Sequence, residues 1–159
     1  MDSEIDAKTF WKAIGCRAIG VAIVTAQGTE GPAGFLALSA THLTASPPMM
    51  MVSIGLTTSA LAAVRQGNHF AINYVPKGND ALVKEFGGGG SLKGADRFLP
   101  GAWTTLKSGA PTLVDCVGVI DCQLDEMIER HGTVIALGRV IAYSASDRAP
   151  MISFRGGYM

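Results

Sequence analysis

The sequence predicts a mainly β fold: an antiparallel split β-barrel with short helical insertions, one domain spanning residues 1–159. Three observations predict it. Segments rich in β-branched and aromatic residues recur between glycine and proline punctuation. Two short turns, at 28–32 and 129–132, join neighbouring segments as hairpins. The regular strand–helix alternation that builds a parallel sheet is missing.

The elements follow in order. "AKTFWKAIG" (7–15) places Phe10, Trp11 and Ile14 on one helical face and predicts a short helix. "GVAIVTAQG" (20–28) reads as a strand, and "TEGP" turns it into a second, long strand, "AGFLALSATHL" (33–43). "PMMMVSIG" (48–55) scarcely alternates, which predicts a strand buried on both faces. "TSALAAVRQG" (58–67) predicts a helix with Gly67 as its left-handed end. "HFAINYV" (69–75) is a strand, and "NDALVKEFG" (79–87) is a helix capped by Asn79. Residues 87–103 form a long glycine-rich loop. Two long strands, 111–128 and 132–146, meet in the "ERHG" hairpin, and 150–158 ends the chain as a strand broken at two glycines.

Hydrophobic residues make up 48% of the 159 and charged residues 16%. That supports a core but leaves a poorly charged surface, which predicts a partner subunit. Thirteen basic and thirteen acidic residues cancel, so no basic stripe marks a nucleic-acid partner. No apolar run reaches the ~20 residues that span a bilayer. The opening "MDSEIDAKTFWKAIG" is acidic and mixed, unlike a secretory leader, and a cytoplasmic location is expected. Cys16, Cys116 and Cys122 lack C-x-x-C spacing. They read as small buried hydrophobes in a reducing compartment, with Cys116 and Cys122 on one side of a strand.

The common catalytic constellations are absent. No G-x-G-x-x-G follows a strand, and the "GGGG" at 87–90 lacks the G-K-[ST] of a P-loop. His42, His69 and His131 show no zinc spacing. Asp125 and Glu126 are adjacent and so point to opposite sides of a strand. Either the protein is not an enzyme, or a cofactor carries the chemistry and the chain positions it.

Several segments together carry a family likeness. "GPAGFLALSATHLTASPPMMMVSIGLTTSALAAV", "HFAINYV", "DRF", "GAPTL", "ERHGTVIALGRV" and "SFRGGY" occur in the order and spacing of the flavin reductase-like family, whose fold is the FMN-binding split barrel. The resemblance spans nearly the whole chain. It implies a homodimer that holds FMN or FAD at the barrel rim and takes NADH or NADPH as co-substrate. It also implies a separate monooxygenase that receives the reduced flavin by diffusion.

Carried onto this chain, the resemblance implies flavin contacts from Leu36, Ala37, Leu38, Ser39, Ala40 and Thr41, together with Ser53. Ser39 and Thr41 lie two apart, on one strand face. Thr57, Thr58 and Ser59 open a helix, where unpaired N–H groups favour an anion such as the flavin phosphate; plain helix capping is the other reading. Arg97 and Phe98 follow the long loop, and Arg97 pairs either with a phosphate or with a surface carboxylate. Phe154, Arg155, Gly156 and Tyr158 form the C-terminal contacts, with Tyr158 able to stack on a ring. His131 is the one implied catalytic residue, on the nicotinamide side. The chain departs from the family at Leu36 and Leu38, where hydroxyl residues are common, at Ala40, where an aromatic often stands, and at Leu56, where arginine is frequent. Each lost side-chain hydrogen bond is worth roughly 0.5–1.5 kcal/mol. Two functions remain open at this point: an NAD(P)H-dependent flavin reductase, and a non-enzymatic flavin-binding carrier or store.

Overall fold

Along Ala22–Gly28 (β2), Ala22, Val24 and Ala26 point one way and Ile23 and Thr25 the other, and all five are buried. A strand apolar on both faces needs cover on both sides. The computed structural model, which describes residues 4–159, supplies it. The inner face joins the main core with Val52, Ile54, Phe70 and Cys122. Ile23 faces a second cluster with Val21, Val75, Val83, Phe86 and Met151.

Helix α1 (Ala7–Ile14) starts at Asp6, whose side chain accepts the Thr9 N–H. It leads through β1 (Ile19–Gly20) into β2, which returns in a hairpin as β3 (Gly31–Ala37). β4 (Thr41–Ala45) and β5 (Pro48–Gly55) form the next hairpin. α2 (Ala60–Gly67), β6 (His69–Tyr74) and α3 (Asp80–Phe86) follow, and Asn79 caps α3 by accepting the Leu82 N–H. The loop after α3 contains a 3-10 turn at Gly94–Arg97. It leads to the small pair β7 (Trp103–Thr105) and β8 (Pro111–Leu113). The long hairpin β9 (Gly118–Arg130) and β10 (Thr133–Ala145) comes next, then β11 (Ile152–Phe154) and β12 (Gly157–Tyr158).

Among the described residues the main sheet has seven strands in the order β3-β2-β6-β9-β10-β5-β4, and β1, β11 and β12 form a three-stranded flap. Every pairing in both is antiparallel. The edge strands β3 and β4 are consecutive in the chain, yet they do not pair, so the barrel stays open along that seam.

Several expectations change. The long strand 33–43 divides, because its residues change partner: β3 pairs with β2, and β4 pairs with β5. Thus Ser39 and Thr41 do not share one strand face; Ser39 lies in the break and Thr41 opens β4. β5 is covered unevenly: Val52 and Ile54 meet the main core, whereas on the other face Met49 is buried and Ser53 is exposed. The strand 111–128 also divides, into β8 and β9. The left-handed residue after α2 is Asn68 (φ 54°), not Gly67. Glycine is required at 67 by proximity instead, because a Cβ there would lie 2.5 Å from the Gln27 carbonyl oxygen. A bulge at Asp125 breaks the simple alternation of Asp125 and Glu126, and both are exposed. Cys122 is buried on β9, its thiol pushed up to about 12 by desolvation, and Cys116 is buried in the loop before that strand. Cys16 is exposed just after α1, so only two of the three cysteines are core residues. The reading of the chain's opening rests partly on residues 1–3, which lie outside the described residues. No helix among the described residues is long and apolar enough to cross a membrane.

Candidate functional site

Where β3 ends, Ser39 carries the β4–β5 pairing two residues further, opposite Ser53 of β5. Ser39 Oγ accepts the Ser53 N–H and donates to the Ser53 carbonyl, both at 3.3 Å. Beside this bridge opens a cleft of about 810 Å³, well within the size range of small-molecule and cofactor sites.

One wall comes from the main sheet: Phe35 through Ser39, then Ser53, Gly55, Thr58 and Thr133. The other wall comes from the end of α1 and the flap, through Trp11, Gly15, Arg17, Ser153, Arg155 and their neighbours. Apolar side chains dominate both. Leu36 and Leu38 also pack against the second core cluster, so the leucines that replace hydroxyls anchor the wall from behind. Among the described residues no carboxylate, histidine, cysteine or lysine lines this cleft, and the two charged ones are both arginines. Proton transfer therefore has no resident acid or base here.

The loop from β5 to α2 leaves donors unpaired beside Thr58, the residue of this loop that lines the cleft after Gly55. Leu56 N–H donates to Gly132 and Thr58 N–H to Gly55, whereas the N–H groups of Thr57, Ser59 and Ala60 have no partner among the described residues. Ser59 is helical in conformation and makes no side-chain cap bond. The capping reading of this segment thus loses its expected hydrogen bond, and the unpaired amides remain.

The structure gathers nine of the expected site residues on the cleft: Leu36, Ala37, Leu38, Ser39, Ser53, Thr58, Phe154, Arg155 and Gly156. Others stand apart. Ala40 packs on the main core and Thr41 is exposed on β4. Thr57 and Ser59 flank Thr58 without lining the cleft. Arg97 is committed to structure. It donates to the Gly34 carbonyl at 2.9 Å and to the Gly94 carbonyl at 3.2 Å, and lies over the Phe86 ring. Burial lowers its pKa. Phe98 stacks with Phe86 and Trp103 in the same aromatic cluster. Tyr158 lies on β12 opposite Ser153 without lining the cleft.

His131 occupies the β9–β10 turn with φ 50°, and Gly132 follows with φ 73°. Two successive positive φ values are the geometry that a two-residue hairpin turn demands. The turn stands at the rim: the Gly132 carbonyl receives Leu56 N–H, and Thr133, paired with Gly55, reaches the wall.

The α1 wall, Arg17 included, was not foreseen as part of the site. Its signal was present in the apolar face of Phe10, Trp11 and Ile14, which reads equally well as core packing. Helix α1 has no buried residue, and Phe10 and Trp11 are 50% and 64% exposed.

The flavin reductase like domain family matches residues 14–159. The chain belongs to that family. Its curated relatives include FMN reductase (NADH) RutF from Bradyrhizobium diazoefficiens, 30% identical over 87% of this chain and 76% of the relative. An FMN reductase (NADH) RutF 1 from Methylorubrum extorquens is 33% identical over 95% of this chain and 75% of that protein. Among solved structures, a putative flavin reductase from Haemophilus somnus superposes with a TM-score of 0.90 at 25% identity, covering 98% of this chain and 99% of that one.

Proposed function

We propose that this protein is an NADH-dependent flavin reductase, with FMN as the first flavin to test. The observation that carries this reading is the cleft itself: wide, apolar, free of acid–base groups and positively charged. Family membership and the relatives named FMN reductase (NADH) support it. NADPH and FAD are the alternative members of each pair.

The residues present fit a flavin. Leu36, Leu38 and Phe35 offer an apolar wall to a ring system, Ser39 and Ser53 offer polar atoms at the seam, and the free amides beside Thr58 suit a phosphate. When bound, the flavin supplies the hydride acceptor. The chain's part is to hold two rings together, exclude water with the α1 wall, and keep His131 at the rim facing the nicotinamide. No side chain has to move a proton within the cleft, which agrees with the missing acid–base pair.

Mixing purified protein with NADH and excess FMN tests the reading. Loss of the nicotinamide absorbance band should depend on both protein and flavin. Protein that binds FMN yet leaves NADH intact is a carrier instead.

The poorly charged surface, 48% hydrophobic and 16% charged by composition, supports a homodimer. Light scattering at micromolar concentration should give twice the mass of one chain. A separate monooxygenase is the proposed consumer of the reduced flavin, and the buried free thiols Cys116 and Cys122 support a cytoplasmic location.

A further inference from the structure

The cleft does not end at Arg155. A second groove of about 490 Å³ continues from it, sharing Trp11, Gly15, Arg155 and Gly156 and adding Lys12 and Cys16. Among the described residues the charged ones lining both cavities are Lys12, Arg17 and Arg155, with no carboxylate between them, in a chain whose total charge is zero. Such segregation of one sign along a continuous groove marks a polyanion.

The backbone brings two of these cations to one place. Arg155 N–H donates to the Gly15 carbonyl at 2.9 Å, and Arg17 N–H donates to Ile14 at 3.1 Å, so both arginines leave the same knot where α1 ends. Arg155 holds a left-handed φ of 49°, unfavourable for a side chain of its kind, and its guanidinium lies 4.9 Å over the Phe154 ring. Neither arginine side chain has a hydrogen bond or ion pair among the described residues. Planar forks of this type bind phosphates bidentately.

We propose that Arg17 and Arg155 grip the diphosphate of an adenine dinucleotide, whose adenosine end leaves the main cleft for the second groove and stacks on Trp11. The assignment rests on the reductase reading, which brings nucleotides to this cleft. The shared chemistry is an adenosine diphosphate half, which NADH and FAD both carry. A mononucleotide such as FMN lacks this half and does not enter the second groove.

Cys16 supplies a footprint that does not depend on turnover. It is the exposed cysteine and lines the second groove, whereas Cys116 and Cys122 are buried. The rate of Cys16 modification by an aromatic disulfide reagent is measured in the native protein with ADP-ribose, adenosine or FMN added. ADP-ribose should slow it severalfold at concentrations where adenosine and FMN do not. Arg17→Ala should raise the ADP-ribose concentration needed by about tenfold, with part of the loss recovered in Arg17→Lys. Arg155→Asn, chosen because asparagine tolerates a left-handed backbone, should act in the same direction; if it does not fold, Arg17→Ala decides. The proposal is overturned by a Cys16 that does not react in the native protein, by ADP-ribose that leaves the rate unchanged, or by equal protection in Arg17→Ala. The source of the dinucleotide follows from two further readings on Arg17→Ala: a raised KM for NADH assigns the nicotinamide dinucleotide, and a raised Kd for FAD assigns the flavin. Flavin-dependent NADH oxidation by the unmodified protein tests the reductase reading by itself, so the two ideas fail separately.

Discussion

Ser39 and Ser53 extend the β4–β5 pairing beside the open seam through one hydroxyl that both accepts and donates, at 3.3 Å each way. The pair holds the chain where β3 gives way to β4. Removing the hydroxyl in Ser39→Ala costs roughly 0.5–1.5 kcal/mol, toward the lower end because Ser39 is exposed. The thermal midpoint should fall by about 1–4 °C. The same change loosens Leu38 and Ala40, so the Kd for FMN should rise severalfold by fluorescence quenching. A variant with reduced stability and unchanged flavin affinity would separate the seam from the binding site.

The helix-opening hydroxyls make a second prediction. Ser59 makes no cap bond and Thr58 lines the cleft. Ser59→Ala should therefore change stability by no more than about 0.5 kcal/mol, as for other surface positions. If the flavin phosphate rests on the free amides of this loop, FMN should bind at least about tenfold tighter than riboflavin. Thr58→Val should narrow that ratio more than Ser59→Ala does. Equal affinities for FMN and riboflavin in the unmodified protein remove the phosphate from this loop.

What the residues disclosed in advance follows from the range of the forces involved. Local signals were readable: the Asn79 cap, the two hairpin turns and the strands expected at 20–28 and 69–75, found at 22–28 and 69–74, depend on neighbours in the chain. The break at 38–40 was not, because it is a change of partner between β2 and β5, which are separated in sequence. Arg97 has the same cause: nothing nearby in the chain announces that Gly34 and Phe86 will occupy its guanidinium. The α1 wall was visible as an apolar face, but whether such a face meets a core, a ligand or a partner is decided by tertiary placement.

His131 gives a third prediction. It belongs to the rim and to a turn that needs a left-handed residue, so alanine there would confound strain with function. His131→Asn keeps the backbone geometry and removes the imidazole. Flavin-dependent NADH oxidation should slow by about tenfold or more, the usual scale for a positioned group near the reacting ring, while the FMN Kd stays within about twofold. Loss of flavin affinity with normal turnover at saturating FMN would exclude the nicotinamide-side role.

The last prediction concerns acid stability and lies away from the cleft. His69 is 8% exposed, and its Nε2 accepts the Gln27 N–H at 3.0 Å. An acceptor nitrogen must be unprotonated, so protonation breaks this bond. Burial is the main cause that lowers its pKa from 6.5, opposed by the Ser108 backbone and by the charge of Asp121. Asp121 is fully buried and accepts from Lys107 N–H, Ser108 N–H and the Ser108 hydroxyl, which fixes the loop that packs against His69. With the folded pKa below the unfolded one, the unfolded chain binds the proton first as the pH drops. The stability that neutral His69 contributes is therefore complete above pH 6.5. It declines as the pH falls from 6.5 towards the lower folded value, with no further loss from this group below that value. Urea midpoints measured in steps from about pH 8 to about pH 5 should be flat at first and then fall. His69→Gln should be less stable at the alkaline end, having lost an acceptor placed for Gln27, and should show a shallower fall through the acid range. An unchanged slope in the variant would move the acid sensitivity to another group.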